Sequence, residues 1–482
     1  MKNILINRIG ILFLSFSILL ISGCEDSIEG INTDPLAATN IAPDLLMPEV
    51  LLGGITANRT IESIQMGTHS QQISFSAPFG VFLNPERGTI STNTTNNLFF
   101  GNYTTGLRNL QQMRVLTERN NPTATNIIGQ AKVLEAFIYL NLTQVFGSVP
   151  FSEAIQVEDF PTPNFDTQEE ILRGIPVLID EAIAALATDT DIVEAPADLI
   201  YGGDRENWIR FGNSLKLKAL MLIANVDPTS VQAQLQEVAN QPLITANEFE
   251  AQLDYLDVAG NQNPIYTLIV QFAGSVNQFY AAGTPLVNIM NANNDPRRAT
   301  YFDDVVGNYV GQDQGVFTYT PNAVSQVSLN IVRPEMPDRY STASEVNFYL
   351  AEAALNGWIS GDANTYYRAG ISASLDYYDG QPGAISQAAK NAYLASPRAT
   401  ITGDSQAVAL TKIHEEQYVA DFTRSLETWT DIRRNKVPAY QPIIGTVLTD
   451  NIRRYQIPLS EITSNPNAPD VVPLITPMYF EN

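Results

Sequence analysis

The stretch GQAKVLEAFIYLNLTQVF, residues 129–146, carries the helical pattern that decides the fold. Its core-facing apolar residues recur every three or four positions, at Ala131, Leu134, Ile138, Leu142 and Phe146. Polar residues such as Lys132 and Glu135 fall between them, so one face of a helix is apolar and the other is polar. Gly147 and Pro150 then end the pattern. The stretch therefore predicts a long helix that buries one face.

Outward from this stretch, the same spacing recurs on both sides and predicts a mainly α-helical fold. The other helical segments cover residues 43–72, 169–186, 208–225, 342–358, 363–378 and 407–434. Asp166 with Glu169, and Thr342 with Glu345, have the spacing of capping boxes at two helix starts. Because several helices come in pairs joined by modest loops, we expect a tetratricopeptide-like scaffold, although no clean repeat of about 34 residues is visible.

Two long segments lack helical periodicity. The first runs from residue 73 to about 104, and its part at 73–97 is rich in Phe, Pro, Gly, Ser, Thr and Asn. The second runs from about 248 to 337 and consists of short apolar pieces broken by Gly, Pro, Asn and Asp. Loops of this length are usually functional or disordered. We therefore predict one domain over residues 43–482, a helical scaffold with a loop-rich irregular insertion.

The N-terminus has the features of an export signal. Two basic residues within the first eight positions precede an apolar run, residues 9–21, which at about 13 residues is too short for a bilayer that needs roughly 20. The sequence ISGC at residues 21–24 follows, and it resembles the lipobox of bacterial lipoproteins, in which the cysteine is acylated and becomes the new N-terminus. We predict a signal peptide over 1–23 and a lipidated tether over 24–42, with Cys24 as the lipidated residue.

Cys24 is the only cysteine among 482 residues, which excludes intrachain disulfides and thiolate metal clusters. The acids that follow it, Glu25 and Asp26, resemble the surface-export signal of Bacteroidota lipoproteins, although two acids also suit a solvated tether. We therefore expect the protein at the outer membrane, anchored by lipid and facing the cell exterior.

The chain is strongly acidic, with a formal net charge of −24 at pH 7. Loss of the predicted signal peptide would remove two basic residues and leave about −26. Nucleic acid is a poor partner for such a protein, because its binding depends on Lys and Arg neutralising phosphates. We expect the arginine pairs 433–434 and 453–454 to fix the C-terminal segment through bonds to acids such as Glu427 or Asp431.

Few residues suit catalysis. The two histidines, His69 and His414, stand in no nucleophile or metal motif, and we expect the first on a helix face and the second at the surface. With 51 acidic residues, carboxylate pairs at glycosidase spacing arise by accident. Asp189, Asp191 and Glu194 offer oxygens for Ca²⁺, but they lack the glycine of an EF-hand loop and better suit a solvated loop. We expect no enzyme activity, no metal and no cofactor.

Several short motifs follow one another in a fixed order along the chain. They are INTDP at 31–35, AKVLEAFIYL at 131–140 with FGSVPF at 146–151, WIRFGNSLKLK at 208–218, DPRR at 295–298, AEA at 351–353, EQYVA at 416–420 with ETWTDIRR at 427–434, and RRYQIP at 453–458. In this order they resemble the SusD-like (SusD/RagB) outer-membrane lipoproteins of Bacteroidota, in the shorter branch that bears a lipobox. Ser148 and Gly212 depart from the family pattern, which has Asp and Ala there.

The resemblance implies both a fold and a function. The expected fold has four tetratricopeptide-like helix pairs and an irregular half that faces the ligand. The expected function is the capture of oligosaccharides, or of peptides in a minority of members, and their delivery to a SusC-like TonB-dependent transporter.

Aromatic residues on the irregular segments are the candidate ligand contacts. Sugar rings present apolar faces that stack on aromatic side chains, while amides bond to hydroxyl groups. The candidates are Phe79, Phe82, Phe100, Gln278, Phe279 and Tyr280. By contrast, Trp208, Trp358 and Trp429 lie on helical faces, and we expect them in the core.

Two other functions stay open. A helical-repeat scaffold protein would use its helices for protein contacts and bind no small ligand. A lipid-anchored glycosidase would turn its ligand over.

Overall fold

Helices carry most of the fold in the computed structural model of the chain. The structure describes residues 41–75, 85–273, 279–316 and 322–481. The predicted signal peptide and Cys24 lie outside the described residues, and the expectations about them stay predictions. The first helical run begins with three short helical turns, Pro43–Leu46, Met47–Glu49 and Val50–Thr56. It continues as helix α1, Ala57–His69.

The later elements follow in chain order. The helices are α2 (Thr92–Gly101), α3 (Arg108–Asn120), α4 (Thr125–Phe146), α5 (Gln168–Ala185), α6 (Arg205–Ala224), α7 (Pro228–Val238), α8 (Pro264–Ala273), α9 (Thr284–Ala292), α10 (Arg298–Tyr301), α11 (Ala343–Leu355), α12 (Ala363–Asp376), α13 (Gln387–Leu394), α14 (Gln406–Ala420), α15 (Ser425–Asn435) and α16 (Leu459–Ser464). A π-helical turn, Asn102–Leu107, joins α2 to α3. The strands are β1 (Ile73–Phe75), β2 (Ala251–Leu253), β3 (Tyr280–Ala282) and β4 (Asp338–Ser341).

Consecutive helices pack as pairs, which confirms the predicted mainly α-helical scaffold. The pairs are α3 with α4, α5 with α6, α11 with α12 and α14 with α15. Helix α4 lies against α3, α5 and α6, and its five predicted core-facing residues are each at most 1% exposed. The spacing of apolar residues therefore identified the buried face correctly.

The three tryptophans that were predicted in the core are buried to different extents. Trp208 and Trp429 are fully buried, whereas Trp358 lies beyond the end of α11 and is only partly buried. Gly212 faces α4 and α5, and a Cβ there would lie 3.5 Å from side chains of both helices, an ordinary contact distance. This position therefore accommodates either glycine or the alanine of the family pattern.

The predicted single helix over 407–434 is wrong, because two helices, α14 and α15, occupy this stretch. Thr423 between them has a φ of 80°, a conformation that cannot continue a right-handed helix. The apolar spacing runs through the break because both helices bury residues against the same core. Asp421 and Arg424 in the connecting turn are themselves buried and form an ion pair of 2.6 Å.

The predicted irregular region 73–104 is wrong in its second half, where residues from Thr92 onward form α2. The Ser91 hydroxyl accepts a hydrogen bond from the backbone N–H of Thr94 and caps the helix. Leu98 and Phe99 are buried, and the Phe99 ring lies 5.4 Å from that of Phe146. The Thr- and Asn-rich composition hid a helix whose stability comes from this packing.

The predicted capping boxes are each partly right. Helix α5 is capped by Thr167 with Glu170, one residue later than predicted. Asp166 instead accepts hydrogen bonds from the backbone N–H groups of Phe151 and Ser152, at 2.8 and 2.9 Å. At α11 the predicted cap by Thr342 is present, but the Glu345 side chain forms ion pairs with Lys218 and Arg424 instead of closing the box.

The second irregular region, predicted at 248–337, is a long excursion whose two ends are tied together. Strand β2 pairs antiparallel with β4, so the chain leaves and re-enters the scaffold at one place. Strand β1 pairs antiparallel with β3, which connects the excursion to the segment after α1. Short helices, α8 to α10, lie inside the excursion.

The arginine pairs hold the C-terminal part mostly through partners other than those predicted. Arg434 binds Glu352 at 2.7 Å and also approaches Asp431 at 3.4 Å. Arg433 donates to the backbone carbonyls of Gln144 and Arg453, at 2.9 and 2.6 Å. Arg453 binds Glu481 at 2.6 Å, so the last described residues are fixed to the scaffold.

Glu62 on α1 is a buried acid beside this charged interior. Its side chain is 3% exposed, and its Oε2 has no hydrogen-bond partner within the described part of the chain. Burial raises the pKa of Glu62 to about 8, although the nearby Arg59 opposes the rise. Since the folded pKa lies above the ordinary value of about 4.5, the stability contribution of Glu62 is present below pH 4.5 and is lost as the pH rises through 8.

We predict that Glu62→Gln makes the protein less sensitive to alkaline pH. The free energy of unfolding of the variant should exceed that of the wild type by on the order of 1–3 kcal/mol at pH 9, and by less at pH 5. Urea unfolding at several pH values measures this. Glu237→Gln on the exposed face of α7 is the control and should leave the pH profile unchanged. Parallel profiles for Glu62→Gln and wild type would contradict the prediction.

Candidate ligand-binding site

Residues 71–75 and 85–91, taken as one segment, meet two later irregular segments, residues 279–316 and 438–451, and we call their meeting place the junction. Strands β1 and β3 pair with the register Ile73 to Ala282 and Phe75 to Tyr280. The backbone N–H of Gly283 donates to the carbonyl of Gln72 at 2.8 Å. Backbone pairing therefore joins the first two segments.

Buried glutamines strengthen this connection. The Gln312 amide donates to the Ser74 hydroxyl at 2.9 Å and to the Phe75 carbonyl at 2.8 Å. The Gln314 amide donates to the Ile73 carbonyl at 2.6 Å. The two amides thereby supply hydrogen-bond donors to buried acceptors along β1.

The third segment is fixed to both of the others. Gln71 exchanges two hydrogen bonds with the backbone of Gln441, each of 2.8 Å. The N–H of Ile444 donates to the Gln314 carbonyl at 2.9 Å, and the N–H of Val447 donates to the Arg87 carbonyl at 3.0 Å. Arg87 in turn donates through its side chain to the carbonyl of Gly315.

The third segment lines an open cavity of about 310 Å³. Its lining combines one aromatic ring, aliphatic side chains and several hydroxyl, amide and carboxylate groups, from Tyr440, Gln441, Pro442, Ile443, Thr446, Leu448, Thr449, Asp450 and Asn451. The Tyr440 hydroxyl is buried and has no hydrogen-bond partner among the described residues. An aromatic face beside neutral donors and acceptors is the chemistry that recognises a polyhydroxylated ligand.

The predicted ligand contacts that the structure describes are buried to different extents. Phe279 is fully buried, with its ring edge-on to Phe75 at 5.6 Å, and Tyr280 is 5% exposed. Phe100 lies on α2, where it is partly buried against Phe99. The burial of Phe279 and Tyr280 favours a packing role at the junction, and their contact with a ligand stays a prediction.

Phe79, Phe82 and Gln278 lie outside the described residues. The cavity residues 440–451 were missed by the sequence reasoning, which stopped at the helices on either side. The run of Pro438, Pro442 and Gly445 among polar residues was the signal that could have identified a loop there.

The histidines do not form a catalytic arrangement with each other. His69 ends α1, is buried, and its Nε2 lies 3.0 Å from the Tyr455 hydroxyl. Burial, helped by Arg433, lowers the pKa of His69 to about 3. The expectation that His414 lies at the surface is wrong, because it is 8% exposed and its Nε2 lies 3.2 Å from Glu352, a partner that sequence distance concealed.

Asp189, Asp191 and Glu194 lie in the loop between α5 and α6, where Asp191 accepts a hydrogen bond from Asn121 at 2.7 Å. Within the described ranges, no group of three or more His, Cys, Asp and Glu side chains is placed to hold a metal ion. None of the helices in these ranges combines the length and the apolar content needed to cross a bilayer.

Comparison with known proteins identifies the family. The family model of SusD-like proteins, described as "Starch-binding associating with outer membrane", matches residues 35–458. The chain belongs to the SusD-like family. No curated protein sequence matches the chain significantly.

Solved structures of other SusD-like proteins share the fold. A SusD homologue from Bacteroides uniformis is 22% identical, with a TM-score of 0.79 over 92% of this chain and 100% of that one. A chitin-binding SusD homologue from Flavobacterium johnsoniae is 21% identical, with a TM-score of 0.77 over 92% and 98%. A Bacteroides fragilis homologue is 24% identical, with a TM-score of 0.75 over 92% and 99%.

We predict that Gln312→Leu loosens the junction of this SusD-like protein without unfolding its scaffold. The substitution removes the two buried hydrogen bonds that the Gln312 amide donates to the Ser74 hydroxyl and the Phe75 carbonyl, which costs about 1–3 kcal/mol locally. Hydrogen exchange should therefore speed up in β1 and β3 and stay unchanged in α4. Gln387→Leu on the exposed surface of α13 is the control. Unchanged exchange in β1 and β3 would contradict the prediction.

Proposed function

We propose that the protein captures oligosaccharides at the outer surface of the outer membrane, and that the junction with its cavity at residues 440–451 is the binding site. The cavity lining is the observation that carries the proposal. Its hydroxyl and amide groups can bond to sugar hydroxyls, and the Tyr440 ring offers an apolar face. The match to a family model described as starch-binding, and the fold shared with a chitin-binding homologue, support the same ligand class.

The predicted contacts Phe79, Phe82 and Gln278 belong to this proposal. Segment 76–84 starts directly after Phe75, and segment 274–278 ends directly before Phe279. Phe75 and Phe279, the chain neighbours of these two segments, are themselves ring neighbours at the junction. Within it, we assign sugar stacking to Phe79 and Phe82, and we assign the packing of the site wall to Phe279 and Tyr280.

We predict that Asn451→Ala weakens oligosaccharide binding roughly 2- to 10-fold, because one neutral hydrogen bond contributes about 0.5–1.5 kcal/mol. Asn451 lines the cavity. Calorimetry of the soluble protein, residues 25–482, with maltohexaose and chitohexaose measures the affinity. Asn391→Ala makes the same chemical change on the exposed surface of α13 and should leave the affinity unchanged.

Two outcomes would count against the proposal. If neither hexasaccharide binds the wild type, oligosaccharide capture loses its support. If both bind and Asn451→Ala has wild-type affinity, the site lies elsewhere. Release of reducing ends during the titration would instead favour the glycosidase.

The remaining part of the proposal concerns the membrane and the partner. We propose that Cys24 is acylated after removal of residues 1–23, that the protein faces the exterior, and that it passes its ligand to a SusC-like TonB-dependent transporter. More than one acyl chain is needed for stable anchoring, which the lipobox chemistry supplies. Co-purification of a large β-barrel protein with the anchored chain tests the partnership.

We predict that Cys24→Ala releases the protein from the membrane. Because Cys24 is the only thiol, the variant has no other site for the same modification. Metabolic labelling with palmitate and fractionation of the cells measure the anchor. Wild type should carry label and sediment with the outer membrane, whereas the variant should carry none. An unlabelled wild-type protein would contradict the prediction.

A further inference from the structure

A second cavity, of about 630 Å³, lies on the helical scaffold, and we call it the scaffold groove. Helices α3 and α5 form its two walls, α4 forms its floor, and the loop at residues 151–156 closes one end. None of its lining residues belongs to the junction. The scaffold groove is therefore a separate feature from the proposed oligosaccharide site.

The walls and floor of the scaffold groove combine apolar and polar side chains in about equal measure. Val115 on α3 is 46% exposed and Val177 on α5 is 56% exposed, which places one aliphatic contact on each wall. On the floor, the rings of Tyr139 and Phe151 meet edge to face at 4.7 Å. A Cβ at Gly174 would lie 2.5 Å from the Phe151 ring, so the glycine allows this ring to pack against α5. The two valines offer a partner one exposed apolar contact on each wall.

A carboxylate with unused bonding capacity lies between these apolar contacts. Glu135 on α4 faces Arg114 on α3, with 3.2 Å between Oε2 and Nη1. Neither Glu135 Oε2 nor Arg114 Nε has a hydrogen-bond partner in the described part of the molecule, although both atoms are buried. Burial raises the pKa of Glu135, although Arg114 and Lys132 oppose the rise. The Glu135 side chain keeps 15% of its surface exposed, so a donor brought in by a ligand can reach the carboxylate.

The charge of the scaffold groove favours a cationic ligand. Glu118 and Glu181 join Glu135 in the lining, against the single cation Arg114. Lys132 outside the lining binds Glu181 at 2.6 Å and neutralises that acid in part. An excess of carboxylates in an open groove attracts a positively charged group and repels an acidic one.

We propose that the scaffold groove binds a polypeptide segment of a partner protein in which a lysine or arginine stands between aliphatic residues. The basic side chain reaches Glu135, and the flanking aliphatic side chains cover Val115 and Val177. A polypeptide fits better than a small amine, because the groove offers apolar contacts on both walls around one charged position and lies in a trough between two helices. The inference goes beyond oligosaccharide capture, since an excess of negative charge attracts a cationic group and exerts no long-range attraction on a neutral sugar.

The test uses two synthetic peptides and the soluble protein. The first peptide is a fluorescein-labelled 12-residue chain of Leu, Ala and Lys, and the second replaces each Lys by Glu. Fluorescence anisotropy is measured at an ionic strength of about 0.15 M, where the Debye length of about 8 Å suppresses long-range attraction to the acidic protein. We expect binding of the lysine peptide only.

The variants separate a specific site from general attraction. Glu135→Gln should weaken binding of the lysine peptide at least about tenfold, because it removes the buried charge partner. Glu237→Gln, an exposed acid on α7 with the same change in net charge, should leave it within about twofold. Val115→Ser with Val177→Ser should also weaken binding, whereas Val408→Ser, at a residue 48% exposed on α14, should not.

Arg114→Gln provides a readout that a merely structural role would not produce. Removal of this guanidinium frees Glu135 for the ligand, so the lysine peptide should bind more tightly. Equal effects of Glu135→Gln and Glu237→Gln, absence of binding by the wild type, or weaker binding to Arg114→Gln would each overturn the proposal. Oligosaccharide affinity should be unchanged in the groove variants, and so its loss in Asn451→Ala tests the other site independently.

Discussion

Two buried arginines determine where the irregular part of the molecule meets its scaffold. Arg59 on α1 donates to Asp338 at 2.7 Å and to the carbonyl of Arg339 at 3.0 Å, and Arg424 donates to the carbonyl of Tyr340 at 3.1 Å. Both therefore bind β4, the strand that ends the long excursion. Buried ion pairs add little net stability compared with apolar packing, but loss of one partner leaves an uncompensated charge. The arrangement thus specifies the position of β4 more than it increases stability.

The sequence predicted the helices well and the connections between them poorly, for one physical reason. Apolar spacing reports which face of a helix is buried, as in α4, whatever the neighbour is. It does not reveal a helix break such as the one at Thr423, because both helices beside the break bury residues against the same core. It also does not reveal an ion pair such as Arg59 with Asp338, whose members are 279 residues apart. Helix α2 was missed because packing of Phe99, and not helix propensity, stabilises it.

In the candidate site, too, the sequence indicated which residues are aromatic but not what each of them contacts. An aromatic residue on an irregular segment can face the core or a ligand, and its sequence neighbours do not distinguish the two. Phe279 and Tyr280 are buried at the junction, where they hold β3 against β1. The cavity at residues 440–451 depends on hydrogen bonds with Gln71 and Arg87. The residues that these two contacts join are 370 and 359 positions apart in the chain. Only the folded chain brings these segments together.

Acids with displaced pKa values occur both at the junction and in the scaffold interior. The junction is joined by the amides of Gln71, Gln312 and Gln314, which do not titrate, but the Ser74 hydroxyl beside them donates to the buried Glu86, whose pKa burial raises to about 7. The scaffold interior holds Glu62, with a pKa of about 8, and Glu427, whose pKa Arg59 lowers to about 2 against the opposing effect of burial. A rise in pH through about 7 and then 8 therefore charges first Glu86 at the junction and then Glu62 in the scaffold, and each step acts against the folded arrangement around it. Ligand affinity should consequently respond to pH near 7, where the junction carboxylate titrates, before the scaffold loses stability at higher pH.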